Sequence, residues 1–225
     1  MKHIFKVLAL GICLGLLLAV VRRLLHIDAT LFMRGYWIIA LSAIGVAVLI
    51  NVLYNLSYQQ KMRKAAALLE DGCAEEYIAK TEALLQTARG RGLRNILKIN
   101  LAAGHMEAKQ FAAAAHILEE LSHERFSTGA VKMCYCLNLC ICYFYTAQYD
   151  RAKELYQTSR QVFAPFRKNK TYGGNIAEAD ILAAIMNGQY SQAETLLAAA
   201  RASWDSPRLL DAFDNIERLL ADKRQ

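Results

Sequence analysis

Hydrophobic and polar positions along the chain follow two rules, and the change between them falls near residue 57. Before it stand two apolar runs. "VLALGICLGLLLAVV" (7–21), extended back to Ile4 and Phe5 around Lys6, is about 18 residues long, and "YWIIALSAIGVAVLINVLYNL" (36–56) has 21 and no formal charge. At ~1.5 Å rise per residue each can cross a ~30 Å hydrocarbon core, the first barely. After residue 57 the pattern reads as helix throughout, broken by "EDG", "RGRG", "TGA", "YGG" and "NG" and by only two prolines, Pro165 and Pro207. The pattern predicts an all-α chain: a transmembrane hairpin over 1–56 and a helical domain over 57–225.

The helical part repeats. "AKQFAAAAHILEEL" (108–121), "TAQYDRAKELYQTS" (146–159) and "NGQYSQAETLLAAA" (187–200) align without gaps. Each has Gln, an aromatic, Ala three residues on and an apolar residue four further. The alanines are Ala114, Ala152 and Ala193, and "AEEYIAKTEALL" (74–85) offers Ala79 as a weaker upstream copy. An aromatic at the start of a second helix packs back on the first, and a small residue one turn later lets the two helices approach. Such a pair leaves an apolar face exposed until another stacks on it, which is the logic of a solenoid. "SPRLLDAFDNIERLLADK" (206–223), with a Ser cap and Pro at the first helical position, predicts a closing helix.

Over 60–205 the chain resembles the tetratricopeptide repeat family. Leu101, Ala102 and His105, then Leu139, Cys140 and Tyr143, sit where that family carries Leu, Gly/Ala and Tyr on its first helix. Asp180 and Ala184 replace the Leu and Tyr of the last copy, and the alanine spacing exceeds the family's ~34 residues. The resemblance implies about four helix pairs with a concave groove. It also implies that Asn100 and Asn138, in the same place on successive first helices, face that groove. A side-chain amide both donates and accepts, which suits a bound peptide backbone; bonding between helices is the competing role. Lys64 matches the first basic place of the family's carboxylate clamp. Leu68, Cys134 and Asn138 stand where its other polar residues belong, so a chaperone-tail clamp is not expected.

Charge alters the picture in one respect. Eight of the 27 basic residues and one of the 20 acidic residues fall within 1–64, leaving 19 of each beyond, so the net charge of +7 belongs to the apolar segments. That excludes a nucleic-acid face and points to membrane lipid. Lys2, Lys6, Lys61, Arg63 and Lys64 outnumber Arg22, Arg23 and Arg34 of the connecting loop, which predicts both termini and the repeat domain in the cytoplasm. The expected location is integral to a plasma membrane of bacterial type. Tyr36, Trp37 and Tyr54 close the ends of the second span as interfacial anchors. The run ends "LLLAVVRR" without a small-x-small cleavage site, and Ile12 before Cys13 does not suit a lipoprotein box, so a retained hairpin is expected. Gly11 and Gly15, with Ala43 and Ala47, have the small-residue spacing that lets spans pack on one another or on a second copy.

Candidate chemistry is sparse. Cys134, Cys136, Cys140 and Cys142 share one helix, where neighbours two apart point about 200° away from each other. Zinc ligands usually arrive in pairs from a turn and two segments, so the thiols are expected to pack. His105, His116 and His123 form no ligand spacing, and "FRKNKTYGG" (166–174) reads as a solvated basic loop. No phosphate-cradling loop, nucleophile elbow or HExxH is present. The chain is expected to be a non-enzymatic membrane scaffold without cofactor or metal, binding a protein or peptide in its groove. The alternative is a self-assembling structural protein or regulatory subunit of a membrane complex.

Overall fold

The computed structural model describes residues 28–222 except 123 and 127, together with 15, 18, 20 and 22–24. Among the described residues all regular structure is helical. The chain divides into two compact units, Met1–Ser57 and Tyr58–Gln225. Most of the first predicted span, with Gly11 and Cys13, lies outside the described residues, as does His123. Gly15 is described as helical, with open space where a side chain would stand.

Helix α1 is Ala29–Glu70. It starts at Asp28, the one acid of this basic region: its carboxylate accepts the Thr30 N–H at 2.7 Å and its carbonyl the Phe32 N–H at 3.0 Å. An acidic cap at the positive helix end stabilises by about 1 kcal/mol. Arg34, expected in a connecting loop, therefore lies inside α1. The segment Phe32–Leu69 contains an 18-residue window of mean hydropathy 2.2, none of it buried, and by length and composition it is able to cross a membrane. Tyr36 and Trp37 are exposed and meet edge to face at 6.0 Å; Tyr54 is half-buried. Ala43 and Ala47 are exposed on the same helix.

The second unit continues as α2 (Ala74–Thr87), α3 (Arg91–Glu107), α4 (Phe111–Glu119), α5 (Gly129–Tyr145), α6 (Tyr149–Phe163), α7 (Gly173–Met186), α8 (Tyr190–Ser203) and α9 (Pro207–Asp222). One turn recurs four times. Gly72, Lys109, Ala147 and Gly188 adopt left-handed φ of 74°, 59°, 58° and 71°. The next residue then donates its N–H to the carbonyl five back, from Cys73, Gln110, Gln148 and Gln189 to Leu68, His105, Tyr143 and Ala184, at 2.7 to 2.9 Å. That bond closes the helix end, and the same residue's carbonyl opens the next helix by accepting from Tyr77, Ala114, Ala152 and Ala193.

This turn fixes the register of the pairs and corrects one alignment. Ala114, Ala152 and Ala193 are fully buried, but in the first pair their position is held by Tyr77, and Ala79 is exposed. Matching alanine to alanine moved the weak copy by two residues. Helices α3 and α4, α5 and α6, and α7 and α8 approach closely around their alanines, whereas α1 and α2 show no comparable approach. Tyr77 leans instead on α3, where Gly104 makes room: a Cβ there would stand 2.7 Å from Tyr77 Cδ1. The small residue has moved from one helix to its neighbour.

The pairs stack in a consistent way. Helix α3 contacts α5, α5 contacts α7 and α7 contacts α9, while α4, α6 and α8 make no comparable contact with one another among the described residues. First helices thus form a continuous row. The segment expected to be a solvated basic loop is tied down, because Arg167 forms an ion pair with Asp180 on α7, its Nη2 lying 3.1 Å from Oδ1. Tyr156 donates to the same carboxylate at 2.5 Å. Asp180, in the place of the repeat's Leu, therefore anchors the insertion, and only its tip with Lys168 and Lys170 is exposed.

Candidate functional site

The thiols lie in the core of α5. Cys136, Cys140 and Cys142 are buried and Cys134 is half-buried, and no group of three His, Cys, Asp or Glu residues placed to hold a metal exists among the described residues. Cys140 Sγ lies 3.5 Å from the Ala152 carbonyl, the small-on-small contact that brings α5 against α6. Loss of hydration disfavours the thiolates, pushing Cys134 up to about 11 and Cys140 and Cys142 up to about 12. Burial thus favours the protonated form, a poor nucleophile. His105 Nδ1 meets Gln110 Oε1 at 2.6 Å, within its own helix end, and His116 is exposed beside Glu120 at 3.8 Å.

The proposed groove residues are not all brought together. Lys64 is exposed on α1, and Asn100 is half-buried on α3 and is not one of the residues around the cavity that Asn138 lines. Asn138, half-buried on α5, does line one. That cavity, of about 350 Å³, draws walls from all four helices of the first row: Met106 and Glu107 of α3, Asn138, Ile141 and Tyr145 of α5, Glu178 of α7, and Arg208 and Asn215 of α9. Phe111, at the start of α4, stacks on Tyr145 with centroids 4.3 Å apart and so stiffens one wall.

Glu178 dominates the electrostatics of this cavity. It is 7 % exposed, and it makes no hydrogen bond or ion pair among the described residues. Burial raises its carboxyl from 4.5 to about 7; the positive charges of Arg208 and Lys109 oppose the rise and Glu107 adds to it. Both cations are engaged elsewhere. Arg208 Nε lies 3.1 Å from Glu107 Oε2, and Lys109 Nζ lies 2.6 Å from Asp211 Oδ2.

Sequence reasoning missed Glu178, although a signal was present. Counting back ten residues from Lys109, Ala147 and Gly188 gives Ile99, Leu137 and Glu178, so a carboxylate occupies a position that is buried and apolar in the two preceding pairs. Asn215 and Arg208 had no such signal, because α9 belongs to no repeat and only tertiary packing brings it to the row. No family model, curated protein or solved structure matches the chain.

Proposed function

We propose that this chain is a membrane-anchored scaffold, an α-solenoid of tetratricopeptide-like pairs that holds a segment of a protein partner against its inner row of helices. The observation that carries this reading is the cavity shared by α3, α5, α7 and α9, with Asn138, Glu178 and Asn215 turned to it. A buried carboxylate is costly unless bonded, and a partner supplies the bond that Glu178 lacks. The apolar helix α1 would serve as anchor, with the repeat domain on the cytoplasmic side, and anchoring raises the local concentration of whatever the groove holds. Burial favours the protonated form of the α5 thiols, which supports a binding reading of the site over a nucleophilic one.

The test is comparative capture with the full chain in detergent. Ala103 of α3 also lines the cavity, so cross-linking in native membranes followed by quantitative mass spectrometry should recover a partner with wild type that the cavity-filling Ala103→Trp does not recover. Equal recovery by both would remove the cavity from the binding surface. Light scattering of the same preparation addresses self-assembly, since oligomers abolished by Ala103→Trp would make a second copy the occupant.

A further inference from the structure

We infer that Glu178 is the acceptor for a lysine side chain of the protein partner, whose ammonium enters the cavity between α3, α5, α7 and α9. This rests on the groove reading above and names the chemistry of what the groove takes. Four observations converge on it. Glu178 is 93 % buried by its 7 % exposure, faces the cavity and has no bonding partner among the described residues. An ionised carboxylate in such a place is strongly disfavoured until an opposite charge joins it. Internal cations do not fill the role, because Arg208 is held by Glu107 and Lys109 by Asp211. Glu178 is thus the acidic side chain of this cluster left without a cationic partner.

The remaining walls select among cations. Met106, Phe111, Ile141 and Tyr145 make an apolar sleeve suited to a methylene stem, and the Tyr145–Phe111 stack offers a π face near the charge. Asn138, which makes no hydrogen bond among the described residues, also lines the cavity, so the free acceptors are one carboxylate and one side-chain amide; Asn215 is already bonded to Asp211 and Arg218. A lysine ammonium has three donors, whereas a guanidinium has five in a planar fork that asks for bidentate partners. A free diamine would bring a second ammonium, and the other carboxylate lining the cavity, Glu107, already pairs with Arg208. The lysine is therefore best carried on a chain, whose backbone runs along the row of helices.

The experiment uses the full chain in detergent and immobilised nine-residue peptide pools, degenerate except for a central lysine, Nε-acetyl-lysine or arginine. Retention should be at least about tenfold greater on the lysine pool than on the acetyl-lysine pool, and Glu178→Gln, shown folded by circular dichroism, should lose that preference. Equal retention on the two pools, or a preference that survives Glu178→Gln, would overturn the assignment of Glu178. Two further outcomes separate this inference from the reading beneath it. If wild type is retained better than Ala103→Trp without a lysine preference, the groove stands and the lysine acceptor falls. If no pool retains wild type above Ala103→Trp, the groove reading itself falls. Cadaverine is the soluble competitor. Displacement by cadaverine at concentrations below those needed for free lysine-pool peptide would overturn the protein-borne source in favour of a free diamine, and an arginine pool that outperforms lysine would overturn the ammonium geometry.

Discussion

Replacing Glu178 by Gln should stabilise the unliganded protein, and should do so only where the carboxylate would ionise. Glu178 keeps its proton up to about 7 in the folded chain, against 4.5 for an ordinary glutamate. Between those values the fold holds a proton that the unfolded chain has released, so the free energy of unfolding falls as pH rises across the window. With ~1.36 kcal/mol per pH unit of displacement, the wild-type disadvantage is about 3 kcal/mol at pH 8 and below about 1 kcal/mol at pH 5. Glutamine has nearly the same shape and no charge to bury. The groups that face Glu178 are Glu107 from α3, Lys109 before α4, Cys142 and Tyr145 from α5 and Arg208 from α9, with Asp211 holding Lys109. They are common to both proteins and largely cancel in the difference. Since ~1 kcal/mol moves the melting midpoint by about 2–4 °C in a chain of this size, Glu178→Gln should raise Tm by about 6–12 °C at pH 8 and by no more than about 4 °C at pH 5. Thermal unfolding followed at 222 nm on both proteins in the same detergent measures this. A Tm difference that does not change with pH would refute the claim that an ionisable, unpaired carboxylate sits in the cavity. The same variant is expected to bind its partner worse, which is the usual exchange between stability and a preorganised site.

Three other outcomes follow from the packing. Gly104→Ala places a methyl 2.7 Å from Tyr77 Cδ1 and 3.0 Å from Ile78 Cγ1, and should cost about 1–3 kcal/mol in chemical denaturation; Tyr77→Ala in the same chain should recover part of that loss, and strict additivity would refute the contact. Ala147→Gly relieves a left-handed φ of 58° in a turn that uses glycine at Gly72 and Gly188, and should stabilise by roughly 1 kcal/mol, whereas a destabilised variant would show the turn is not strained. In a Cys13→Ser background, Cys73 should react with maleimide within minutes at pH 7.5 while Cys140 and Cys142, pushed up to about 12 by burial, react only after unfolding. Carried out on intact cells with an impermeant reagent, the same labelling tests the cytoplasmic placement, because rapid modification of Cys73 would put the repeats outside.

Much of the fold was legible because it is local. Helical periodicity, the Gln–aromatic–Ala pattern and the closing Pro207 are properties of short segments, and α4, α6, α8 and α9 begin within a residue or two of where those patterns start. The errors also have local causes. Asp28 is a single cap residue that extends α1 past the expected loop, and the first pair conceals its register because Tyr77 takes the alanine position while Gly104, on another helix, supplies the missing space. The cysteines show the same limit. Their spacing argued against a ligand set, but only packing shows Cys140 against the Ala152 carbonyl.

The sequence by itself therefore determined the class of the protein: an all-helical chain with an apolar segment long enough to cross a bilayer, then helices carrying a repeated Gln–aromatic–Ala pattern. Backbone periodicity and hydropathy are summed over neighbours in the chain, so they can be read without knowing what packs on what. Tertiary structure decided the site. Asn138, Glu178 and Asn215 lie on three helices up to 77 residues apart in sequence and meet only because α5, α7 and α9 stack in a row. Whether a carboxylate is paired, solvated or stranded depends on those distant neighbours and on the water they exclude, and no pattern along the chain records that.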